Sequence, residues 1–250
     1  MSKSAKISIL VFIILILDQA LKIWVKTHME YGDDIRILGQ PWARLHFVEN
    51  PGMAFGMEIA GDYGKLILSL FRLGAVGFLI YLIRSLIKSA AGMGLLFSFG
   101  LVLAGALGNI IDSVFYGVIF SASPIHGGLA MMFPPDGGYA PLLYGKVVDM
   151  FYFPMFRGYF PDWFPFWAGE RFTFFKPVFN IADSAITVGV FSLILFHRSF
   201  FSGKRIEEEV SAEESINPIE SDPVLDKDSN SSKENTSSEI KLEDSEGKDP

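Results

Sequence analysis

Residues 92–115 read GMGLLFSFGLVLAGALGNIIDSVF, an apolar stretch that carries Asn109 and Asp112 near its end. About 20 helical residues cross a hydrocarbon core of about 30 Å, so this stretch predicts a transmembrane helix. A carboxylate at the centre of such a helix costs about 2.5–3.5 kcal/mol on insertion scales, so it is kept only where it faces a partner, a cavity or a reaction. The same Asn-x-x-Asp spacing returns at Asn180 and Asp183.

Four apolar stretches are long enough to span a membrane, at about residues 7–25, 63–86, 92–115 and 178–196. For the first, the alternative is a cleaved signal peptide. No small-x-small cleavage site follows it, however, and Asp18 and Lys22 interrupt it. Half of the 250 residues are hydrophobic and 24 are Phe, more than is typical of a soluble domain. We therefore predict an all-α membrane protein with four transmembrane helices in a domain of residues 1–203.

The positive-inside rule predicts the orientation of these helices. Basic residues cluster at Lys3 and Lys6, at Arg84 and Lys88, and at Arg198, Lys204 and Arg205. With four spans all three clusters fall on one side, so both termini are expected in the cytoplasm. Residues 207–250 hold fifteen acidic residues and four lysines, a net charge of −11 that leaves +4 for residues 1–206. Such a composition buries little apolar surface, which predicts a disordered acidic cytoplasmic tail at 204–250.

Two segments, residues 27–62 and 116–177, are then predicted to face outward. Residues 35–57 alternate polar and apolar side chains in places and contain Asn50-Pro51-Gly52, which predicts short strands and a turn in a small extracytoplasmic β-like platform. In residues 151–175, 13 of 25 side chains are Phe, Tyr or Trp. That density is typical of the lipid headgroup zone, and a packed soluble core is the alternative interpretation.

Composition leaves few kinds of chemistry. The chain has no Cys, its four His are scattered without metal-ligand spacing, and no G-x-S-x-G elbow or P-loop occurs. No basic cluster is interleaved with aromatic residues, so nucleic acid is not an expected partner. We predict no metal and no cofactor, which leaves carboxylates as the main candidates.

The two Asn-x-x-Asp pairs are expected at the outward ends of antiparallel helices, and each pair is expected to share a helix face. Asp149 lies between them in the chain, so three carboxylates can converge near the outer membrane surface. Two adjacent carboxylates tend to share one proton, which suits aspartyl proteolysis: one accepts a proton from water and the other polarises a carbonyl. The alternative is that these acids are structural, as helix caps. Spacing alone does not decide which two would form a dyad.

Two further polar sites have competing interpretations. Asp18 and Lys22 have the acid-before-base order of an i,i+4 pair, but Lys22 is also placed to snorkel to the surface and leave Asp18 to bond another helix. Asn50-Pro51-Gly52 is interpreted as a turn; its functional alternative is that it positions Asn50 over the carboxylates.

Five motifs follow one another in the chain: Leu17-Asp18-Gln19-x-x-Lys22, Glu49-Asn50-Pro51-Gly52-Met53-Ala54-Phe55-Gly56, Gly105-Ala106-Leu107-Gly108-Asn109-Ile110-Ile111-Asp112, Val147-Val148-Asp149, and Phe179-Asn180-Ile181-Ala182-Asp183-Ser184. In this order they resemble the lipoprotein signal peptidase family (signal peptidase II), membrane aspartyl endopeptidases of bacteria. The resemblance implies a substrate, a prolipoprotein whose Cys carries diacylglycerol, and cleavage just before that Cys. It also implies a catalytic dyad of Asp149 and Asp183. Further matching positions, which would support the dyad or line the substrate pocket, are Asp18, Lys22, Asn50, Gly52, Gly108, Asn109, Asp112 and Asn180.

The resemblance further implies a protein of the bacterial cytoplasmic (inner) membrane, in contact with membrane lipids and with its active site near the outer leaflet. We expect it to be a monomer. The sequence departs from the family pattern at Ser113, where an Arg is usual, and in two inserts, at about 121–143 and 154–177. Arg157 or Lys146 is the hypothetical replacement for the missing cation. The inserts are expected to form a lid or a partner surface.

Two other functions compete with this interpretation. An ion-coupled transporter or channel subunit would use Asp18, Asp112 and Asp183 as a proton relay, but transporter sites tend to lie at the membrane midplane between inverted repeats. A non-catalytic scaffold would recruit a partner through its acidic tail and would tolerate Asp149→Asn and Asp183→Asn.

Overall fold

The computed structural model describes residues 1–51 and 61–201 of the chain. Gly52 and the acidic tail at 204–250 lie outside these residues, so both remain sequence predictions.

Four helices carry most of the apolar sequence: α1 at Lys3–His28, α2 at Gly61–Lys88, α3 at Met93–Ile111 and α4 at Ile181–Phe196. The helix of α3 continues through a π-turn, Asp112–Tyr116, to Ile119. In the part of the chain that the structure describes, three helices are long and apolar enough to cross a membrane, namely α1, α2 and α3 with its extension. The 16-residue α4 is apolar but shorter.

The first residues predicted for the fourth helix form a strand instead. Val178–Phe179 is β6, which pairs with an upstream strand, and Asn180 follows as the N-cap of α4. Because an N-cap residue has an extended backbone, the helix begins three residues later than its apolar pattern suggests.

The β structure is more extensive than a β-like platform beside an all-α bundle. Strands β1 (Asp34–Arg36), β2 (Arg44–Asn50), β3 (Val147–Tyr152) and β6 form an antiparallel sheet in the order β1-β2-β3-β6. A separate hairpin pairs β4 (Phe156–Tyr159) with β5 (Arg171–Phe174). The register of the sheet places Val48 opposite Asp149.

The central helix of the bundle is α3. Of its 18-residue apolar stretch 56% is buried, against 22% for α1 and 17% for α2. It packs on α1, α2 and α4. Small residues allow α3 and α4 to approach closely, as is common between membrane helices. A Cβ on Gly105 would lie 2.1 Å from the backbone oxygen of Ala182, and one on Gly108 would lie 2.7 Å from a carboxylate oxygen of Asp18.

Gly105→Ala is therefore expected to destabilise the folded protein by about 1–3 kcal/mol, because the backbone of α4 would have to move away from α3. The measurement is unfolding of the purified protein in detergent micelles. Gly77→Ala on α2 is the matched control, since no atom lies within 4 Å of its added Cβ. There the higher helix propensity of Ala is expected to give a gain of up to about 1 kcal/mol. Equal effects of the two substitutions would contradict this account of the α3–α4 contact.

The first insert, residues 121–143, is held to the sheet and to α1 through the ion pair of Glu49 with Lys26. Glu49 on β2 forms an ion pair with the buried Lys26 of α1 and accepts a 2.8 Å hydrogen bond from Ser123 of the insert. The ammonium of Lys26 also lies over the rings of Phe120 and Tyr139. Burial alone would raise the pKa of Glu49, but the Lys26 charge and these hydrogen bonds hold it below its usual value. Residues 121–143 are thus tied to the C-terminal end of α1.

The second insert forms the β4–β5 hairpin and its loop. Phe160 stacks with Phe164 and packs against Trp167 and Phe172, so the hairpin has a small aromatic cluster of its own. Other rings remain open to the surroundings, among them Trp163 at 78% and Phe166 at 80% exposure. A segment with this many exposed rings is not a packed soluble core, and the headgroup-zone interpretation remains a prediction.

Candidate active site

Polar side chains from α1, α3, β3 and α4 meet where the helices join the sheet. Five of them are almost completely buried: Asp18, Lys22, Asp112, Asp149 and Asn180 are at most 4% exposed. Burial of so many polar groups is tolerated only if each finds partners. Among the described residues no buried side-chain nitrogen or oxygen lacks a hydrogen bond.

Lys22 does not snorkel to the surface, which corrects one of the two sequence interpretations. Its side chain is fully buried, and its Nζ lies 2.9 Å from Asp18 Oδ2 and 2.9 Å from Asp112 Oδ2. A third bond, of 3.0 Å, goes to Asn109 Oδ1. Because an ammonium has three donors, all of those of Lys22 are engaged, one with Asp18 on its own helix and two with the end of α3.

Asp18 and Asp112 each also accept a hydrogen bond from the backbone of a further element, and Asp112 does so with the oxygen that binds Lys22. Asp18 Oδ1 accepts a 2.9 Å bond from the backbone N–H of Ala182 in the first turn of α4. Asp112 Oδ2 accepts a 3.2 Å bond from the N–H of Val148 on β3. The π-turn that begins at Asp112 departs from regular helix at this point, and such turns are frequent at functional sites.

Asn180 and Asp183 form a capping box at the start of α4. The side chain of Asn180 accepts a 2.9 Å bond from the N–H of Asp183, and Asp183 Oδ2 accepts a 3.2 Å bond from the N–H of Asn180. Asn180 therefore precedes the helix instead of sharing a helical face with Asp183, a correction that follows from its cap geometry. The dipole of α4 stabilises negative charge at Asp183.

Asn180 also connects the two candidate carboxylates. Its Nδ2 donates a 2.7 Å bond to Asp149 Oδ1 and lies 3.1 Å from Asn109 Oδ1. Asn109 in turn donates a 2.7 Å bond to Asp183 Oδ1. The structure thus brings Asp149 and Asp183 into one network held by two asparagine amides.

Asp149 is in an environment that favours its neutral form. Burial and the negative charge of Asp183 raise the pKa of Asp149 to about 7, against the lowering effects of Lys22 and of hydrogen bonds from Asn180 and Asn50. At near-neutral pH a large share of Asp149 is therefore protonated. The two carboxylates differ in environment, one buried on a strand and one at a helix N-terminus, and such differences separate acid and base roles.

The cation that contacts Ser113 is neither Lys146 nor Arg157, the two hypothesised replacements for the Arg that is usual at position 113. Lys146 lies 3.4 Å from Glu49 at the first insert, and Arg157 is exposed on β4. The hydroxyl of Ser113 instead accepts a 3.1 Å bond from Arg72 Nη1 on α2.

Sequence reasoning also omitted Gln19 and Tyr116 from the site. Gln19 Nε2 donates to Asp112 Oδ1 at 2.9 Å and to the backbone oxygen of Gly108 at 3.1 Å, while the Tyr116 hydroxyl donates to Gln19 Oε1. Gln19 follows Asp18 in the first of the five motifs, so its position in the sequence could have indicated a role in the site. Tyr116 gave none, because a lone Tyr near a helix end is common.

The fold and the site define a membrane-embedded helical protein with a buried carboxylate network beside a small sheet. A family model described as signal peptidase (SPase) II matches residues 10–200. A lipoprotein signal peptidase of Porphyromonas gingivalis is 49% identical over 214 residues, which are 84% of this chain and 92% of that protein. Another, of Amoebophilus asiaticus, is 37% identical over 187 residues, 74% of each chain.

A solved bacterial membrane enzyme, determined by the in meso method at 2.3 Å resolution, has a similar fold. Its TM-score is 0.50 at 23% identity, over 80% of this chain and 90% of that one. The chain belongs to the signal peptidase II family.

Proposed function

We propose that Asp149 and Asp183 form the catalytic dyad of this signal peptidase II. The protein is an endopeptidase of the bacterial membrane that removes the signal peptide from prolipoproteins. The observation that carries the dyad is the shared network: Asn180 bonds Asp149, Asn109 bonds Asp183, and the two amides bond each other.

The two carboxylates take different roles. Asp183, at the N-terminus of α4, is the ionised member and accepts a proton from the attacking water. Asp149 holds the shared proton because its pKa is near 7, and it donates a hydrogen bond to the scissile carbonyl oxygen. When the tetrahedral intermediate collapses, the proton on Asp183 passes to the leaving amine, and the dyad returns to its starting charge.

The supporting residues hold this geometry without taking part in proton transfer. Lys22 and Asp112 lock α1 to α3, and Asp18 fixes the first turn of α4. Asn50 hydrogen bonds Asp149 from β2 and lies next to the segment that contains Gly52. Gly108 keeps α3 close to both Asp18 and Ala182.

The membrane placement follows from the same proposal. Four spans, with α4 completing the bundle, put both termini in the cytoplasm and the sheet with its dyad near the outer leaflet. There the protein meets a prolipoprotein whose lipidated Cys is anchored in that leaflet, and it cleaves just before this Cys. The β4–β5 hairpin would rest in the headgroup zone. The protein acts as a monomer without a nucleic-acid partner.

The test is cleavage of a diacylglyceryl-modified prolipoprotein by the purified protein in detergent micelles, with products identified by mass spectrometry. The same precursor without the lipid is the comparison substrate. We expect one cut, directly before the modified Cys, and a much slower reaction without the lipid. A parent protein that is folded and cuts neither precursor would refute the proposal.

The pH dependence of this reaction is a separate prediction. Because the dyad works with one proton, kcat is expected to fall as the pH rises through about 7 and Asp149 ionises. In Asn50→Ala the Asp149 carboxylate loses a hydrogen bond that favours its charged form, so the alkaline fall should move to higher pH. The measurement is the midpoint of the alkaline limb, which is independent of any loss in absolute rate. An unchanged midpoint in this variant would contradict the assignment of that limb to Asp149.

A further inference from the structure

A cation from α2 reaches the end of α3. Arg72 Nη1 donates a 3.1 Å hydrogen bond to the hydroxyl of Ser113, which is 3% exposed. That hydroxyl donates in turn to the backbone oxygen of Asn109 at 3.0 Å. Ser113 thus orients the guanidinium at the helical turn whose Asn109 side chain holds Asp183.

The carboxylates around this guanidinium come from three elements. Its positive charge interacts with the carboxylates of Asp183 on α4, Asp112 at the end of α3 and Asp149 on β3. Lys22 of α1 is the other cation of the network, and its three donors are engaged with Asp18, Asp112 and Asn109. The network therefore contains two cations: Lys22 lies at the contact of α1 with α3, and Arg72 comes from α2 and bonds Ser113.

A guanidinium suits this position better than a second ammonium. It has five N–H donors in a planar fork, so one can bond Ser113 while others face a carboxylate or the substrate. A serine at 113 is short enough to leave room for a side chain that arrives from the neighbouring helix. The side chain of Arg72 is half-buried.

We propose that Arg72, oriented by Ser113, is a positioning residue for Asp183, and that its positive charge stabilises the carboxylate that takes the proton of the attacking water. The inference rests on the proposed dyad of Asp149 and Asp183. It makes α2 a part of the catalytic machinery, although the five sequence motifs include no residue of that helix.

The test compares Arg72→Gln and Arg72→Lys in the lipid-modified prolipoprotein assay across a range of pH. Arg72→Gln is expected to lower kcat about 10- to 100-fold with little change in KM. The acid limb of its pH–rate profile should move to higher pH, because a carboxylate that loses a neighbouring cation binds its proton more tightly. Arg72→Lys keeps the charge and should keep the parental profile. Arg84→Gln, on the same helix but lining a groove beside Ser4 and Ile87, is the matched control and should leave both unchanged.

Folding of each variant is followed by thermal unfolding in detergent micelles. If Arg72→Gln does not fold, Ser113→Ala takes its place: it releases the guanidinium without removing it and should move the acid limb in the same direction. A parental profile in the folded variant overturns the inference, and so does an equal loss of rate in Arg72→Lys with an unmoved acid limb.

Asp149→Asn and Asp183→Asn assayed in parallel separate the two proposals. If both are inactive while Arg72→Gln is unaffected, the dyad stands and only the role of Arg72 fails.

Discussion

Asp149→Asn and Asp183→Asn are each expected to lower kcat for prolipoprotein cleavage by roughly 10³-fold or more, as is usual when one member of a catalytic unit is removed. Neither substitution should unfold the protein. An amide at 149 is neutral, like the protonated carboxyl it replaces, and an amide oxygen at 183 can still accept the bond from the N–H of Asn180. The measurement is the initial rate on the diacylglyceryl-modified substrate, with unfolding in detergent as the check on structure.

Asp136→Asn is the matched control. Asp136 lies in the first insert and is exposed, so its charge is solvated and its replacement should leave the rate within twofold of the parent. The two dyad variants should also resemble each other, because a shared proton makes the pair one functional unit. If either folded variant cleaves at the parental rate, that residue is not part of the dyad, and its carboxylate returns to a structural role.

The sequence allowed the main elements to be predicted because hydrophobicity and charge are local signals. The long apolar stretches appear as α1, α2 and α3, and the alternating segment around Arg44–Asn50 as β2. Element ends were less predictable. The strand at Val178–Phe179 reads as helix from its apolar residues, and only its pairing with β3 and the cap at Asn180 set the true start of α4.

The candidate site illustrates what sequence spacing leaves open. The sequence allows two alternatives for Asp183, a helix cap or a catalytic acid. In the structure one of its oxygens closes the capping box while the other bonds Asn109. A carboxylate has two oxygens, so a structural bond leaves the second free for a different contact. The sequence did not decide whether Lys22 snorkels to the surface or pairs with a carboxylate. Its partner Asp112 lies 90 residues away in the chain, and only the tertiary fold brings the two together. Arg72 gave no signal, since one Arg in an apolar helix does not reveal which neighbour it faces.

Lys22→Met is expected to lower the free energy of unfolding by about 3–5 kcal/mol, the usual cost of removing one partner from a buried ion pair. The substitution leaves Asp18 and Asp112 buried and facing each other without their common cation. Both carboxylates also hold backbone N–H groups, of Ala182 and Val148, so the loss should loosen α4 and β3 as well as α1. The measurement is unfolding of the purified protein in mixed micelles with increasing SDS, followed by circular dichroism.

Lys6→Met on the same helix is the control, because Lys6 is exposed and the same change of side chain there should cost less than about 0.5 kcal/mol. The double variant Lys22→Met with Asp112→Asn removes one of the two orphaned charges. It should therefore be more stable than Lys22→Met alone, even though it carries an additional substitution. A double variant that is less stable than the single one would mean that Asp112 stabilises the protein through its bonds to Gln19 and Val148 more than through its charge pair with Lys22. Such a result would mean that the hydrogen bonds of the π-turn at the end of α3 contribute more to stability than the ion pairs of the Lys22 ammonium.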